Sequence, residues 1–115
     1  MKIIDKINAL PEDKKFFSYE YFPPKTDAGV LNLFDRIDRM VATEPLFCDC
    51  TWGAGGSTSD LTLEICTTVQ KFFGTDIMMH LTCTNMSVSL LYEALKQAKE
   101  AGIMNILALR GDPPA

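Results

Sequence analysis

The chain alternates between short apolar runs and longer stretches whose apolar residues recur at helical spacing. Four runs have the length and composition of buried strands: Phe16–Phe22, Leu46–Thr51, Ile77–Thr82 and Ile103–Leu109. Between them the spacing predicts three amphipathic helices. The first covers Gly29–Ala42, with Leu31, Phe34, Ile37, Met40 and Val41 inward and Asp35, Arg36, Asp38 and Arg39 outward. The second covers Ser59–Phe73, with Leu61, Ile65, Val69 and Phe72 inward. The third covers Val88–Ala101, with Leu91, Ala94, Leu95 and Ala98 inward, and Gly102 suits the residue just past its end. A short leading helix is predicted within residues 1–9, ended near Pro11.

Strand–helix alternation with buried strands implies an α/β fold, a parallel sheet and right-handed crossovers. Two architectures fit: an open doubly wound sheet, or the first part of a (β/α)8 TIM-type barrel. Four strands cannot close a barrel, and a complete one needs about 250 residues. Pro113-Pro114-Ala115 directly follow the fourth run, with no helical pattern to cover it. The expectation is an incomplete unit that something else completes.

Composition narrows the function classes. Of 115 residues, 47% are hydrophobic and 23% charged, as in a globular domain with a real core. A net charge of -4 and scattered basic residues argue against a nucleic-acid binder and a basic membrane face. No apolar stretch approaches the roughly 20 residues of a membrane span. Met1-Lys2-Ile3-Ile4-Asp5-Lys6 lacks a signal-peptide apolar region, which points to the cytoplasm by default. Cys48, Cys50, Cys66 and Cys83 form no CxxC pair; they read as reduced, mostly buried thiols, and no metal site is expected.

In parallel α/β folds, chemistry gathers at the C-terminal ends of the strands. The first run carries Glu20 between Tyr19 and Tyr21, followed by Phe22, Pro23, Pro24 and Lys25. A carboxylate in an apolar run is costly unless paired or hydrated, and apolar surroundings would suit it to acid–base work near neutrality. A strand-end glutamate pointing into solvent is the plain alternative. The second run ends at Asp49-Cys50-Thr51-Trp52, then Gly53-Ala54-Gly55-Gly56-Ser57-Thr58. That loop is neither a P-loop nor GxGxxG, but its glycines would let a flat or anionic ligand approach the backbone. The third run holds His80, the sole histidine, then Thr82, Thr84 and Asn85. A lone histidine in an apolar strand is more often a satisfied core residue. The fourth ends at Arg110-Gly111-Asp112, read as a turn holding a charge pair. Together these residues place a carboxylate, a hydroxyl beside a tryptophan, an imidazole and an Arg/Asp pair on one rim.

Four segments carry a specific resemblance: Tyr19-Glu20-Tyr21-Phe22-Pro23-Pro24-Lys25, Thr51-Trp52-Gly53-Ala54-Gly55-Gly56-Ser57-Thr58, Met79-His80-Leu81-Thr82-Cys83-Thr84-Asn85 and Leu107-Ala108-Leu109-Arg110-Gly111-Asp112-Pro113-Pro114. In order and spacing they resemble the methylenetetrahydrofolate reductases, most closely the eukaryotic, plant-like branch. The resemblance covers essentially residues 1–115 and implies the N-terminal half of that family's catalytic barrel, without its regulatory domain. Tyr19 and Tyr21 stand where the usual motif has phenylalanines.

The resemblance implies a flavoenzyme that uses FAD and NAD(P)H to reduce 5,10-methylenetetrahydrofolate to 5-methyltetrahydrofolate, the flavin carrying the redox chemistry. It implies that Glu20 is the general acid that opens the folate's five-membered ring to an iminium. Glu20, Tyr21, Phe22, Pro23, Pro24 and Lys25 would border the nicotinamide nucleotide. Thr51 and Trp52 would lie at nucleotide and flavin, His80 against the flavin, and Arg110, Gly111 and Asp112 at its polar parts. Asp112 would also face the folate and stabilise the cation. Later strands complete the site in the family, so this chain alone is expected to have little or no activity. The competing expectation is a truncated, non-catalytic member that serves as a structural or interaction module, with self-association or a larger assembly covering the open barrel.

Overall fold

The computed structural model describes residues 1–52, 57–84 and 86–111, with the side chains of residues 57–59 outside the description. The elements run α1 (Ile3–Asn8), β1 (Ser18–Tyr21), α2 (Asp27–Val41), β2 (Phe47–Cys50), α3 (Ser57–Phe72), β3 (Ile77–Thr82), α4 (Val88–Glu100) and β4 (Asn105–Leu109). The strands form one parallel sheet in the order β1-β2-β3-β4. Each strand is added beside the previous one, without the reversal of strand order that defines a doubly wound sheet. This is the α/β arrangement of the first units of a (β/α)8 barrel.

Local chemistry sets the helix ends. Thr26 Oγ1 accepts from Gly29 N at 3.0 Å and starts α2. Ser87 Oγ accepts from Leu90 N at 3.2 Å and starts α4. Gly102, at φ +79°, ends α4 in a Schellman turn: its N–H donates to Lys99 O, and that of Ile103 donates to Ala98 O. A side chain at Gly102 would strain this left-handed backbone.

The helix-facing side of the sheet is the core. Tyr21, Cys48, Cys50, Ile77, Met79 and Leu81 pack beneath Leu33 and Ile37 of α2, Ile65, Cys66 and Val69 of α3, and Ala94 and Ala98 of α4. Three predicted core positions differ, and one is Leu95 of α4, which is exposed. Leu31 is 69% exposed and Leu33 takes its place, because the buried stripe of α2 runs through Leu33, Phe34, Ile37, Met40 and Val41. Phe72 is 79% exposed at the end of α3, while Phe73, just beyond the helix, turns in and stacks on Phe34 with ring centroids 6.1 Å apart. Strand β1 is shorter than its apolar run: Phe16 and Phe17 lie exposed before it, because pairing with β2 begins at Ser18 opposite Phe47.

The other face of the sheet carries Glu20, Asp49, Met78 and Asn105 in one row of register partners. The start of the chain closes its lower end. The Met1 amine and Lys6 Nζ (3.1 Å) both bind the Asp76 carboxylate just before β3. Asn105 Oδ1 accepts from Ile3 N at 2.8 Å, and Asn105 Nδ2 donates to Met1 O at 3.0 Å. Among the described residues β4 pairs only with β3, and its Ile106, Leu107 and Leu109 are exposed. No helix among the described residues is long and apolar enough to cross a membrane.

Candidate active site at the C-terminal ends of the strands

Strand alternation sends Tyr19 and Tyr21 one way and Glu20 the other. The tyrosines go to the helix layer. Tyr19 Oη is 2.7 Å from Thr43 Oγ1, and the Tyr21 hydroxyl lies beneath α2 near Met40 Sδ and Cys48 Sγ. Burial pushes the Tyr21 phenol well up, so it stays protonated. Glu20 points instead onto the open face, where its side chain is 48% exposed. Among the described residues the apolar enclosure expected for Glu20 is therefore not found: its aromatic neighbours in sequence are not its neighbours in space.

Parallel register brings two further groups to Glu20. Asp49 is its Cα partner on β2 and projects from the same face. His80 lies two residues beyond Met78, the Asp49 partner on β3. His80 Nε2 is 3.4 Å from Asp49 Oδ2 and 3.7 Å from Glu20 Oε1. The first contact is misaligned for a hydrogen bond and the second is too long. His80 Nε2 and Asp49 Oδ1, both buried, thus have no hydrogen-bond partner among the described residues. Burial pushes the Asp49 carboxyl up, His80 beside it pulls it back, and Glu20 raises it again. The three groups each offer a ligand atom within 4.8 Å of the others.

Asp49 received no role from its sequence. Its signal was the same as that of Glu20, a single carboxylate flanked by strand residues that face the other way, here Cys48 and Cys50. All four cysteines are free, and three of them, Cys48, Cys50 and Cys66, are buried. The contact with Cys50, together with burial, pushes the Cys66 thiol far up, so it is no nucleophile.

The remaining predicted positions divide into groups. Phe22 and Lys25 are exposed, and Pro23 and Pro24 are half-buried at the top of β1. A Cβ on Gly29 would come within 2.9 Å of Pro24 Cβ, so this glycine lets the Pro23-Pro24 turn lie against α2. Thr51 is held at both ends of its backbone: its N–H donates to Tyr21 O at 3.0 Å, and its carbonyl accepts from Thr62 Oγ1 at 2.9 Å. Trp52 is buried beside it. Thr84 Oγ1 donates to the Arg110 carbonyl at 2.9 Å and ties the loop after β3 to the end of β4. Gly111 has φ +89°, and a Cβ there would lie 2.5 Å from Thr84 Oγ1. The Gly53–Gly56 loop, Asn85 and Asp112 lie outside the described residues.

Comparison with known proteins agrees with this reading of the strands. The family model described as methylenetetrahydrofolate reductase matches residues 4–115. The chain is 60% identical over 115 residues to "Methylenetetrahydrofolate reductase (NADH) 1" of Zea mays, with 99% of this chain and 19% of the maize protein covered. Identity is 56% to the Arabidopsis thaliana protein of the same name, with 99% of this chain and 19% of that relative covered. It is 55% to "Methylenetetrahydrofolate reductase 1" of Schizosaccharomyces pombe, with 98% and 19% covered. The chain thus spans about a fifth of the length of these relatives. A family match over nearly all of its residues, on a sheet wound as that fold requires, means that the chain belongs to the methylenetetrahydrofolate reductase family.

Proposed function

We propose that this chain forms the β1–β4 part, residues 1–115, of a flavin-dependent reductase that converts 5,10-methylenetetrahydrofolate to 5-methyltetrahydrofolate with NAD(P)H. The observation that carries this reading is the meeting of Glu20, Asp49 and His80 on one rim of a chain of this family. The nicotinamide co-substrate follows its relatives, of which the maize protein is named for NADH and that of Caenorhabditis elegans for NADPH.

The residues present fit FAD. His80 Nε2 is a buried polar atom without a hydrogen-bond partner among the described residues, and it points onto the face where Leu107 and Leu109 offer exposed apolar surface. Gly111 lets Thr84 Oγ1 come within 2.5 Å of where a Cβ would stand, which keeps the loop after β3 close against the end of β4. Thr51, Trp52, His80, Arg110, Gly111 and Asp112 would hold the flavin, and the 20–25 segment would border the nicotinamide nucleotide. When bound, FAD supplies hydride transfer from NAD(P)H to the folate carbon. Glu20, half-exposed on the rim, would donate its proton to a folate nitrogen as the ring opens. Asp112 would oppose the resulting positive charge.

Glu20→Gln in the flavin-loaded enzyme tests the reading. Flavin reduction by the nucleotide should persist, while reoxidation by the folate substrate should slow by 10²–10⁴-fold, the usual range for losing a general acid. Equal loss of both half-reactions would rule out the acid role.

A second reading has its own support. The open edge and exposed apolar residues of β4 suit a surface that another element covers. The chain would then serve as a non-catalytic module in a larger assembly or pair with itself. Flavin absorbance before and after adding the remaining half of the barrel separates the readings. Colour that appears only on addition supports a catalytic half; no colour in either case supports the module.

A further inference from the structure

We propose that Glu20, Asp49 and His80 form a site for a divalent transition-metal ion, with Zn²⁺ the best fit, and that an ion held there takes Glu20 out of acid work. The second half rests on the reading of Glu20 as the acid; the first does not. No cysteine takes part, so the lack of a CxxC pair has no bearing on this site.

Geometry carries the proposal. Each group offers one ligand atom, and the three atoms lie within 4.8 Å of one another. His80 is 7% and Asp49 9% exposed, and His80 Nε2 and Asp49 Oδ1 have no hydrogen-bond partner among the described residues. Buried polar atoms left in this way are costly unless something else meets them. The separations indicate what that is. His80 Nε2 lies 3.4 Å from Asp49 Oδ2 and 3.7 Å from Glu20 Oε1. Both exceed the roughly 2.7–3.2 Å of a good N–H···O bond. Zinc–ligand bonds of about 2.0–2.2 Å at tetrahedral angles hold neighbouring ligand atoms about 3.3–3.6 Å apart. The His80–Asp49 pair already has that spacing, and Glu20, half-exposed at the rim, needs only a small rotation to join it.

Charge agrees. Among the described residues neither carboxylate pairs with a lysine or arginine, and His80 is the ion-pair partner of both. A divalent ion balances two carboxylates and meets a neutral imidazole nitrogen, the commonest metal ligand. One nitrogen and two carboxylate oxygens suit Zn²⁺, whereas Mg²⁺ and Ca²⁺ prefer all-oxygen shells. Ligands must be deprotonated to bind, so Glu20 on the ion has no proton to give.

The test measures Zn²⁺ binding to the full chain, stripped of metal, by competition with a chromogenic chelator, with Co²⁺ as a coloured substitute. One ion per chain is expected, with the visible absorption of tetrahedral Co²⁺. Partners that merely orient a metal ligand are worth about 10–100-fold in affinity, and losing a ligand should cost at least as much. Glu20→Gln, Asp49→Asn and His80→Gln should therefore each weaken Zn²⁺ binding about 100-fold. Circular dichroism reports whether each variant folds, and Glu20, being half-exposed, is the site least tied to folding. Cys83→Ser, which removes the exposed thiol, should leave binding unchanged. In the flavin-loaded enzyme Zn²⁺ should slow folate-driven flavin reoxidation, and a chelator should restore it. No binding, full affinity in Glu20→Gln and Asp49→Asn, or loss of binding in Cys83→Ser would overturn the site. Binding without slowed reoxidation would overturn the effect on Glu20 alone. If Glu20→Gln reoxidises at the unmodified rate in metal-free buffer, the acid reading fails while the Zn²⁺ titration still stands.

Discussion

Glu20 and Asp49 are Cα partners on adjacent parallel strands, so two carboxylates project side by side from the same face of the sheet. A register slip of one residue would separate them and turn one into the core. Burial raises the Asp49 carboxyl above its ordinary value of 3.8. The native fold therefore binds this proton more tightly than the unfolded chain does. The associated stability is fully present below pH 3.8 and is lost as pH rises through the elevated native value. Asp49→Asn should remove that loss and leave the chain more stable than the unmodified protein at pH 7. The advantage should shrink toward pH 3, as read by urea unfolding at several pH values.

Asp76 behaves in the opposite sense. Burial would raise its carboxyl, but the Met1 amine, Gln70 and Lys6 outweigh burial and hold it below the usual carboxylate range. Its contribution is present above pH 3.8 and is lost as pH falls through the depressed native value. Asp76→Asn should cost about 1–2 kcal/mol at neutral pH and progressively less in acid. Thermal unfolding against pH checks both the size and the sign.

Gly111→Ala places a Cβ on a backbone at φ +89° and 2.5 Å from Thr84 Oγ1. The expected cost is about 1–3 kcal/mol. Adding Thr84→Ala should recover only the steric part, because the left-handed strain remains. Urea midpoints of the single and double variants measure the two contributions separately.

Gly29→Ala sets two effects against each other. Alanine in a helix is favoured over glycine by about 1 kcal/mol. Here its Cβ would meet the Pro24 ring at 2.9 Å. The ring is rigid, so the Pro23-Pro24 turn must move. The variant should fail to gain stability, and amide chemical shifts of residues 20–25 should change.

The exposed Ile106 on β4 should promote association of the isolated chain. Ile106→Lys should raise the monomeric fraction in sedimentation at equal concentration. An unchanged distribution would remove this strand from any self-association.

Much of this molecule was legible in sequence because burial imposes periodicity. Among the described residues, the four strands and four helices fall within a few residues of the predicted runs. Some errors arose where an apolar residue sits at an element's end. Phe16, Phe17 and Phe72 look like core by type, but each lies where pairing or the helix has not begun or is just ending. Leu31 and Leu33 are equally apolar, and only packing against the sheet determined which of them is buried.

The sequence by itself determined the alternation of elements, the rim on which polar residues gather and the family to which the chain belongs, since these depend on residue type and spacing. The tertiary structure alone decided the company Glu20 keeps. Along the chain it lies among aromatics. In space it stands in the open beside Asp49 and His80, because neighbouring side chains on a strand diverge while register partners on adjacent strands converge. Which strand lies next to which, and in what register, is a long-range property that local patterning does not encode.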